Sequence, residues 1–185
     1  GGDIQFSRVS LTPDSAFATA FDAVDRMAFR LGLPAFVGTD GTDVLITQDI
    51  KLPHEAYVLT IAQDHILVRA ADHAGVFYAA ITLLNLRQTY AGLLPCGTII
   101  DAPQFEWRGQ HLDCARHYFQ PESIKGLLDL MAMFKLNRFH WHFSDDEAFR
   151  LEIECAAELW QKSAFRGEGQ TIPGVFGGGA GPSGG

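Results

Sequence analysis

The sequence predicts two kinds of fold in one chain: α+β in a small sheet domain over residues 1–102, and α/β over residues 103–185. Three observations predict this. Helix-spaced apolar runs flank a hairpin pattern at residues 55–72. Pro103 then ends the last strand of that region. Residues 110–143 read as strand, amphipathic helix and strand, the spacing of a parallel β–α–β unit.

Residues 14–31 place Phe17, Ala20, Phe21, Val24, Met27, Ala28 and Leu31 at helical intervals. Asp14 or Ser15 can cap the start of that helix, and Gly32 can stop it. DVLITQD (43–49) reads as a strand. EAYVLTIAQD (55–64) and HILVRAAD (65–72) alternate around a turn near Asp64, as a hairpin does. Residues 73–89 are rich in Ala and Leu and read as a second, more buried helix. GTIIDAP (97–103) is a short strand. Strands in this order, with two helices, predict helices laid on one face of one sheet.

After Pro103, QHLDCAR (110–116) is a strand candidate. Pro121 suits the first turn of a helix, and Glu122 suits its N-terminal dipole. Ile124, Leu127, Leu128, Met131 and Phe134 form one face up to Lys135. RFHWHF (138–143) is the next strand. A right-handed crossover between parallel strands follows, and it opens either a doubly wound sheet or a β/α barrel. The pattern weakens after about residue 156, and GVFGGGAGPSGG (174–185) predicts no element.

Composition narrows the partners. The formal net charge is −8 and no Lys/Arg run occurs, which argues against nucleic acid and anionic membrane as partners. No apolar stretch approaches the roughly 18–20 residues of a membrane span. GGDIQFSRVS has neither a basic n-region nor an apolar h-region, so the chain presents no signal peptide. Its compartment stays open. Cys96, Cys114 and Cys155 are odd in number and form no C-x-x-C pair, which speaks against a disulfide scaffold.

Parallel sheets place ligands beyond the carboxyl ends of their strands. Arg116 and His117 follow the first strand candidate; His142, Asp145 and Asp146 close the second. Neighbouring strands lie about 4.8 Å apart, so Arg116 can reach Asp145. An Arg fork beside a carboxylate can hold two adjacent hydroxyls, one accepting and one donating. A structural Arg–Asp ion pair is the competing reading.

His140 and His142 form H-W-H on one strand face, which suits a zinc pair or two histidines that line or brace the site. Without a third ligand set, bracing is the preferred reading. Asp145, Asp146 and Glu147 cannot converge on one metal without a turn, because neighbouring residues of an extended segment point in opposite directions. One carboxylate facing ligand and one bracing the loop is the expected division. Asp113 suits a structural role as well as a catalytic one. Trp107, Trp141 and Trp160 suit core packing or stacking on sugar rings. No P-loop Lys and no helix-opening G-x-G-x-x-G supports nucleotide binding.

At WRGQHLDCARHYF, at AMFKLN and at FHWHFSDDEAFRLEIE, the chain resembles family 20 glycoside hydrolases, the β-N-acetylhexosaminidases. The match is dense over residues 101–154. Upstream, EAYVLTI and HILVRAADHAGVFYAAITLLNLRQ resemble the non-catalytic α+β domain that precedes the barrel in that family. The resemblance implies a non-catalytic domain over 1–102 and the first β/α units of a truncated (β/α)8 TIM barrel over 103–185. It implies release of terminal, non-reducing β-linked GlcNAc or GalNAc from glycans by substrate-assisted retention, without metal or cofactor.

The resemblance also distributes roles. Arg116 contacts the terminal sugar's hydroxyls, and Asp145 helps bind the sugar or orient the site. From the residues themselves, His142 and Asp146 are read as supporting them. The family's catalytic Asp–Glu pair sits in a later H-x-G-G-D-E motif that these 185 residues do not contain, so the chain holds no catalytic residue. Glu147 and Phe149 depart from the Gln and Trp common there. Two strands cannot close an eight-stranded barrel, so the remaining C-terminal part of the same protein, nicked or supplied as a second polypeptide, is the expected partner. Two other classes compete: a metal-dependent hydrolase barrel using His140 and His142, and a non-catalytic sugar-binding module.

Overall fold

The computed structural model describes residues 2–11, 17–145 and 148–164. The chain divides into two compact units, Gly1–Glu106 and Trp107–Gly185.

The first unit runs β1 (Asp3–Gln5), β2 (Val9–Leu11), α1 (Ala18–Arg30), β3 (Thr42–Gln48), β4 (Tyr57–Ile61), β5 (His65–Ala70), α2 (His73–Thr89), β6 (Leu93–Pro95) and β7 (Gly97–Asp101). Five strands form a mixed sheet in the order β2-β3-β5-β4-β7. The β2–β3 and β3–β5 pairs are parallel, whereas β5–β4 and β4–β7 are antiparallel. β1 and β6 make a separate antiparallel pair with Ile4 opposite Leu94. The expected hairpin is β4–β5.

α2 packs against β4 and β5, and α1 packs against α2. Ala79, Ala80, Ile81, Leu83 and Leu84 of α2 are fully buried, as are Phe21 and Val24 of α1 and Leu59, Ile66 and Val68 of the sheet. α2 approaches the sheet closely at Gly75, where a Cβ would lie 2.5 Å from the Ala56 carbonyl oxygen. That distance leaves room only for glycine.

Arg87 stands buried among these apolar groups. Its guanidinium donates to the carbonyls of Ser7 at 2.9 Å, Ala35 at 2.8 Å and Pro34 at 2.8 Å. The Phe36 ring lies 5.3 Å from it. Asp25 braces the same loop by accepting the backbone N–H groups of Phe36 and Val37.

The element boundaries shift from the sequence expectation for local reasons. The proposed caps Asp14 and Ser15 lie outside the described residues; α1 begins at Ala18 and ends where Gly32 takes φ +69°. β5 stops at Ala70 because Asp72 caps α2, its carboxylate accepting the N–H of Gly75. Strands β1, β2 and β6, three residues each, are additional to the expected order.

The second unit holds β8 (Gly109–Asp113), α3 (Pro121–Met133), β9 (Arg138–His142), β10 (Ser144–Asp145), β11 (Ala148–Phe149), a 3-10 turn (Glu154–Ala156) and α4 (Ala157–Ser163). β8 and β9 pair in parallel, with Asp113 opposite His142 and His111 opposite His140. Beyond β9, β10 and β11 form a two-residue antiparallel ladder, and past residue 156, where the sequence pattern weakens, α4 is a short helix. The glycine-rich segment 174–185 lies outside the described residues.

β8 ends at Asp113 rather than at Arg116 because the Asp113 carboxylate accepts the N–H groups of Ala115 and Arg116, both at 3.0 Å, and turns the chain. α3 ends at Met133, with Lys135 at φ +56° and the Leu136 N–H returning to the Met131 carbonyl. The three cysteines are unbridged. Among the described residues no helix is long and apolar enough to cross a membrane.

Asp72 offers a direct test of the first unit. Burial opposes its charge, but the N–H groups of Glu55 and Gly75 and the His54 ring outweigh that and hold its carboxyl below the usual range. A depressed folded pKa stabilises the fold above the unfolded value, near 4, and the contribution is lost as pH falls through the folded one. Asp72→Ala should cost about 1 kcal/mol at neutral pH. In denaturant titrations that difference should shrink in strong acid; a pH-independent gap would contradict the electrostatic part.

Candidate functional site

The carboxyl ends of β8 and β9 carry a polar cluster of Asp113, Arg116, His142 and Asp145. Because β8 turns at Asp113, Arg116 lies beside the end of β9, and Asp145 follows from β10. Arg116 Nη1 donates to Asp145 Oδ2 at 2.6 Å and approaches Asp113 Oδ2 at 3.3 Å. His142 Nε2 meets the same Asp145 Oδ2 at 2.8 Å. Arg116 is therefore held between two carboxylates, and Asp145 receives two donors on one oxygen.

The cluster is open to solvent, with the Arg116 side chain 42% exposed and the Asp145 side chain 26% exposed. A pair of this exposure contributes about 0–1 kcal/mol to folding. Stability is thus a weak explanation for placing it here, and both groups are partly open to solvent. Burial pushes the Asp113 carboxyl up, but the N–H groups of Arg116 and Ala115, with His142 and Arg116 close by, prevail and hold it below the usual carboxylate range. Asp113 therefore serves as an anionic anchor for the turn that presents Arg116. Of its two sequence-level readings, the geometry favours the structural one.

Alternation along the strands sorts the neighbours. His111, His140 and His142 share the face of this cluster. The His111 ring lies 4.6 Å from His140 and 5.6 Å from His142, and His140 stacks at 6.3 Å on His142. His111 has no distinguishing sequence signal, since a lone histidine in a strand acquires neighbours only once the register is known. Among the described residues no group of three or more His, Cys, Asp or Glu side chains is arranged to hold a metal ion. His117 is exposed and packs on Phe119. Asp146 and Glu147 lie outside the described residues.

The opposite strand face carries Leu112, Phe139 and Trp141 and is mainly apolar, with Gln110 at its edge. Trp141 and Phe143 line a cavity of about 380 Å³ with Cys114, Tyr118, Ile124 and Leu128. The Trp141 indole N–H points to Cys114 Sγ at 3.1 Å. Trp107 is 72% exposed beside Arg138, and Trp160 donates to the Ile153 carbonyl. None of the ten residues in β8 and β9 is buried. Parallel strands are ordinarily covered on both faces.

Comparison with known proteins accounts for both units. Residues 7–102 match the glycosyl hydrolase family 20 domain 2, and residues 105–177 match the catalytic domain of glycosyl hydrolase family 20. The chain belongs to glycosyl hydrolase family 20.

A beta-hexosaminidase of Vibrio furnissii is 37% identical over 132 residues, which are 70% of this chain and 22% of that protein. The N,N'-diacetylchitobiase of Vibrio harveyi is 34% identical over 162 residues, 85% of this chain and 18% of that protein. A crystal structure of a Vibrio harveyi GH20 exo-β-N-acetylglucosaminidase superposes with a TM-score of 0.76 at 30% identity, covering 97% of this chain and 29% of the other. A β-N-acetylhexosaminidase from Bacteroides fragilis superposes with a TM-score of 0.72 at 27% identity, covering 89% and 35%. The chain thus spans about a fifth of the length of these two curated relatives.

Proposed function

We propose that this chain is the N-terminal portion of an exo-acting β-N-acetylhexosaminidase that releases terminal non-reducing GlcNAc or GalNAc. Residues 1–102 are its non-catalytic α+β domain, and residues 103–185 begin its (β/α)8 barrel. The observation that carries the reading is the Arg116–Asp145 pair, 2.6 Å apart at the carboxyl ends of parallel strands. Family membership and the uncovered faces of β8 and β9 support it.

The chemistry follows from the partners. Arg116 offers N–H groups to two adjacent hydroxyl oxygens, and Asp145 accepts a hydroxyl proton. His142 and Asp146 support these two. Hydrolysis proceeds by substrate-assisted retention. The 2-acetamido oxygen attacks the anomeric carbon as the glycosidic bond breaks. A Glu protonates the leaving oxygen, and an Asp orients the amide. That Asp–Glu pair lies outside these 185 residues, because the sequence has no H-x-G-G-D-E motif. The metal-hydrolase alternative is not favoured. His142 Nε2 already meets Asp145 and lies 3.3 Å from the Arg116 guanidinium, a fixed positive charge where a cation would have to bind.

Arg116→Ala in the complete enzyme should lower kcat/KM on an aryl β-N-acetylglucosaminide about ten- to a hundredfold, the worth of a charged hydrogen bond. Arg116→Lys should restore only part, since an ammonium lacks the planar fork. A lowered melting temperature with normal kcat/KM would instead mark a purely structural ion pair.

Purified residues 1–185 should show no turnover. The isolated chain should also aggregate, because Phe134 is 75% and Leu130 51% exposed. Of Leu112, Ile124 and Phe139, set by sequence on the open barrel face, Leu112 and Phe139 are half-buried and Ile124 is 9% exposed. Robust hydrolysis by that fragment would overturn the assignment of the catalytic pair to the remainder of the protein.

Exhaustive chelation of the complete enzyme should leave its rate nearly unchanged, because the nucleophile is the substrate's own amide. Stoichiometric zinc whose removal abolishes turnover would return the H-W-H reading. An intact protein with sugar affinity and no hydrolysis would indicate the binding module.

A further inference from the structure

We propose that His142 is a positioning residue whose Nε2–H holds Asp145 in the orientation from which Asp145 and Arg116 receive the sugar. The inference rests on the reading of Arg116 and Asp145 as sugar ligands, and it assigns the third member of the cluster a separable role.

Asp145 lies on a short element. It ends a two-residue strand whose ladder consists of Ser144 opposite Phe149 and Asp145 opposite Ala148. Its side chain is oriented by the partners it meets. Two of them meet on one atom: Arg116 Nη1 at 2.6 Å and His142 Nε2 at 2.8 Å from Oδ2. The two donors differ in what a ligand demands of them. Arg116 must turn N–H groups toward sugar hydroxyls, which weakens its grip on Asp145. His142 need not move.

His142 is also the better-anchored group. It is the last residue of β9, in register opposite Asp113, and its carbonyl accepts the Cys114 N–H at 2.9 Å. Its ring stacks on His140 and lies edge-on to His111. The 3.3 Å separation of His142 Nε2 from Arg116 Nη1 follows from both nitrogens aiming at one oxygen. Two donors cannot bond each other, so the network assigns the proton to Nε2. A side chain fixed on a strand and bonded to a ligand-facing carboxylate is the supporting arrangement that keeps a binding group within a few tenths of an ångström of its working position.

The test compares substitutions at His142 in the complete enzyme, with kcat/KM on an aryl β-N-acetylglucosaminide and melting temperature both measured. His142→Leu keeps bulk and removes the donor. His142→Gln places an amide N–H near the position of Nε2. His142→Leu should lower kcat/KM about tenfold or more, and His142→Gln should recover most of that loss. In an Asp145→Ala background the Leu and Gln variants should become equal, because the role acts through Asp145. Should the Leu variant fail to fold, His142→Asn replaces it, since its amide is too short to reach Oδ2.

Equal kcat/KM for the Gln and Leu (or Asn) variants overturns the positioning role. So does a difference that persists without Asp145. Arg116→Ala, run alongside, separates the two levels. If it leaves kcat/KM unchanged, the sugar-site reading fails and takes this one with it. If it lowers kcat/KM while the His142 variants behave as wild type, only the positioning role fails.

Discussion

Arg108 joins the entrances of two strands to the exit of the helix between them. Its backbone N–H donates to Asn137 Oδ1 at 3.1 Å, its Nε donates to the Lys135 carbonyl at 2.9 Å, and its own carbonyl accepts the N–H groups of Asn137 and Arg138. These bonds set where β8 and β9 begin relative to each other. Everything at the far end inherits that register. A slip of one residue would turn His142 to the apolar face and bring Trp141 to the polar one. The cluster at the carboxyl ends is thus fixed by a clasp at the amino ends.

At the far end, charge is balanced rather than hidden. Asp113 and Asp145 flank Arg116, and His142 shares Asp145 with it. The fold gains little from such exposed pairs. What the arrangement secures is geometry: a guanidinium held in one orientation by the carboxylates on either side. On the sugar-site reading proposed above, a hydroxyl exchanges with contacts of similar strength, and the side chains avoid the ordering cost that free rotamers would incur.

Much of this could be read in the sequence, and the reasons are local. Pro121 at the first turn of α3, the apolar spacing through Met131, and the alternation on either side of Asp64 are strong short-range signals. They locate α3 and the β4–β5 hairpin. Strands β1, β2 and β6 are three residues long, too short for alternation to register. Their pairing depends on distant partners such as Leu94 opposite Ile4. At the site, the Arg116–Asp145 approach is legible because both residues follow strands that must be parallel. The end of β8 is less so, since Asp113 closes the strand through a side-chain turn that resembles continued strand in sequence. His111 acquires meaning only from the register that sets it opposite His140.

The Arg87 guanidinium in the first unit has a consequence for the order of events during synthesis. Its acceptors, the carbonyls of Ser7, Pro34 and Ala35, precede it by 80, 53 and 52 residues. Those segments leave the ribosome long before Arg87 does, and until then their carbonyls must remain with water. The N-terminal strand and the loop after α1 can therefore lock into this arrangement only once most of α2 has emerged. A nascent chain shorter than that lacks the side chain whose guanidinium joins these segments.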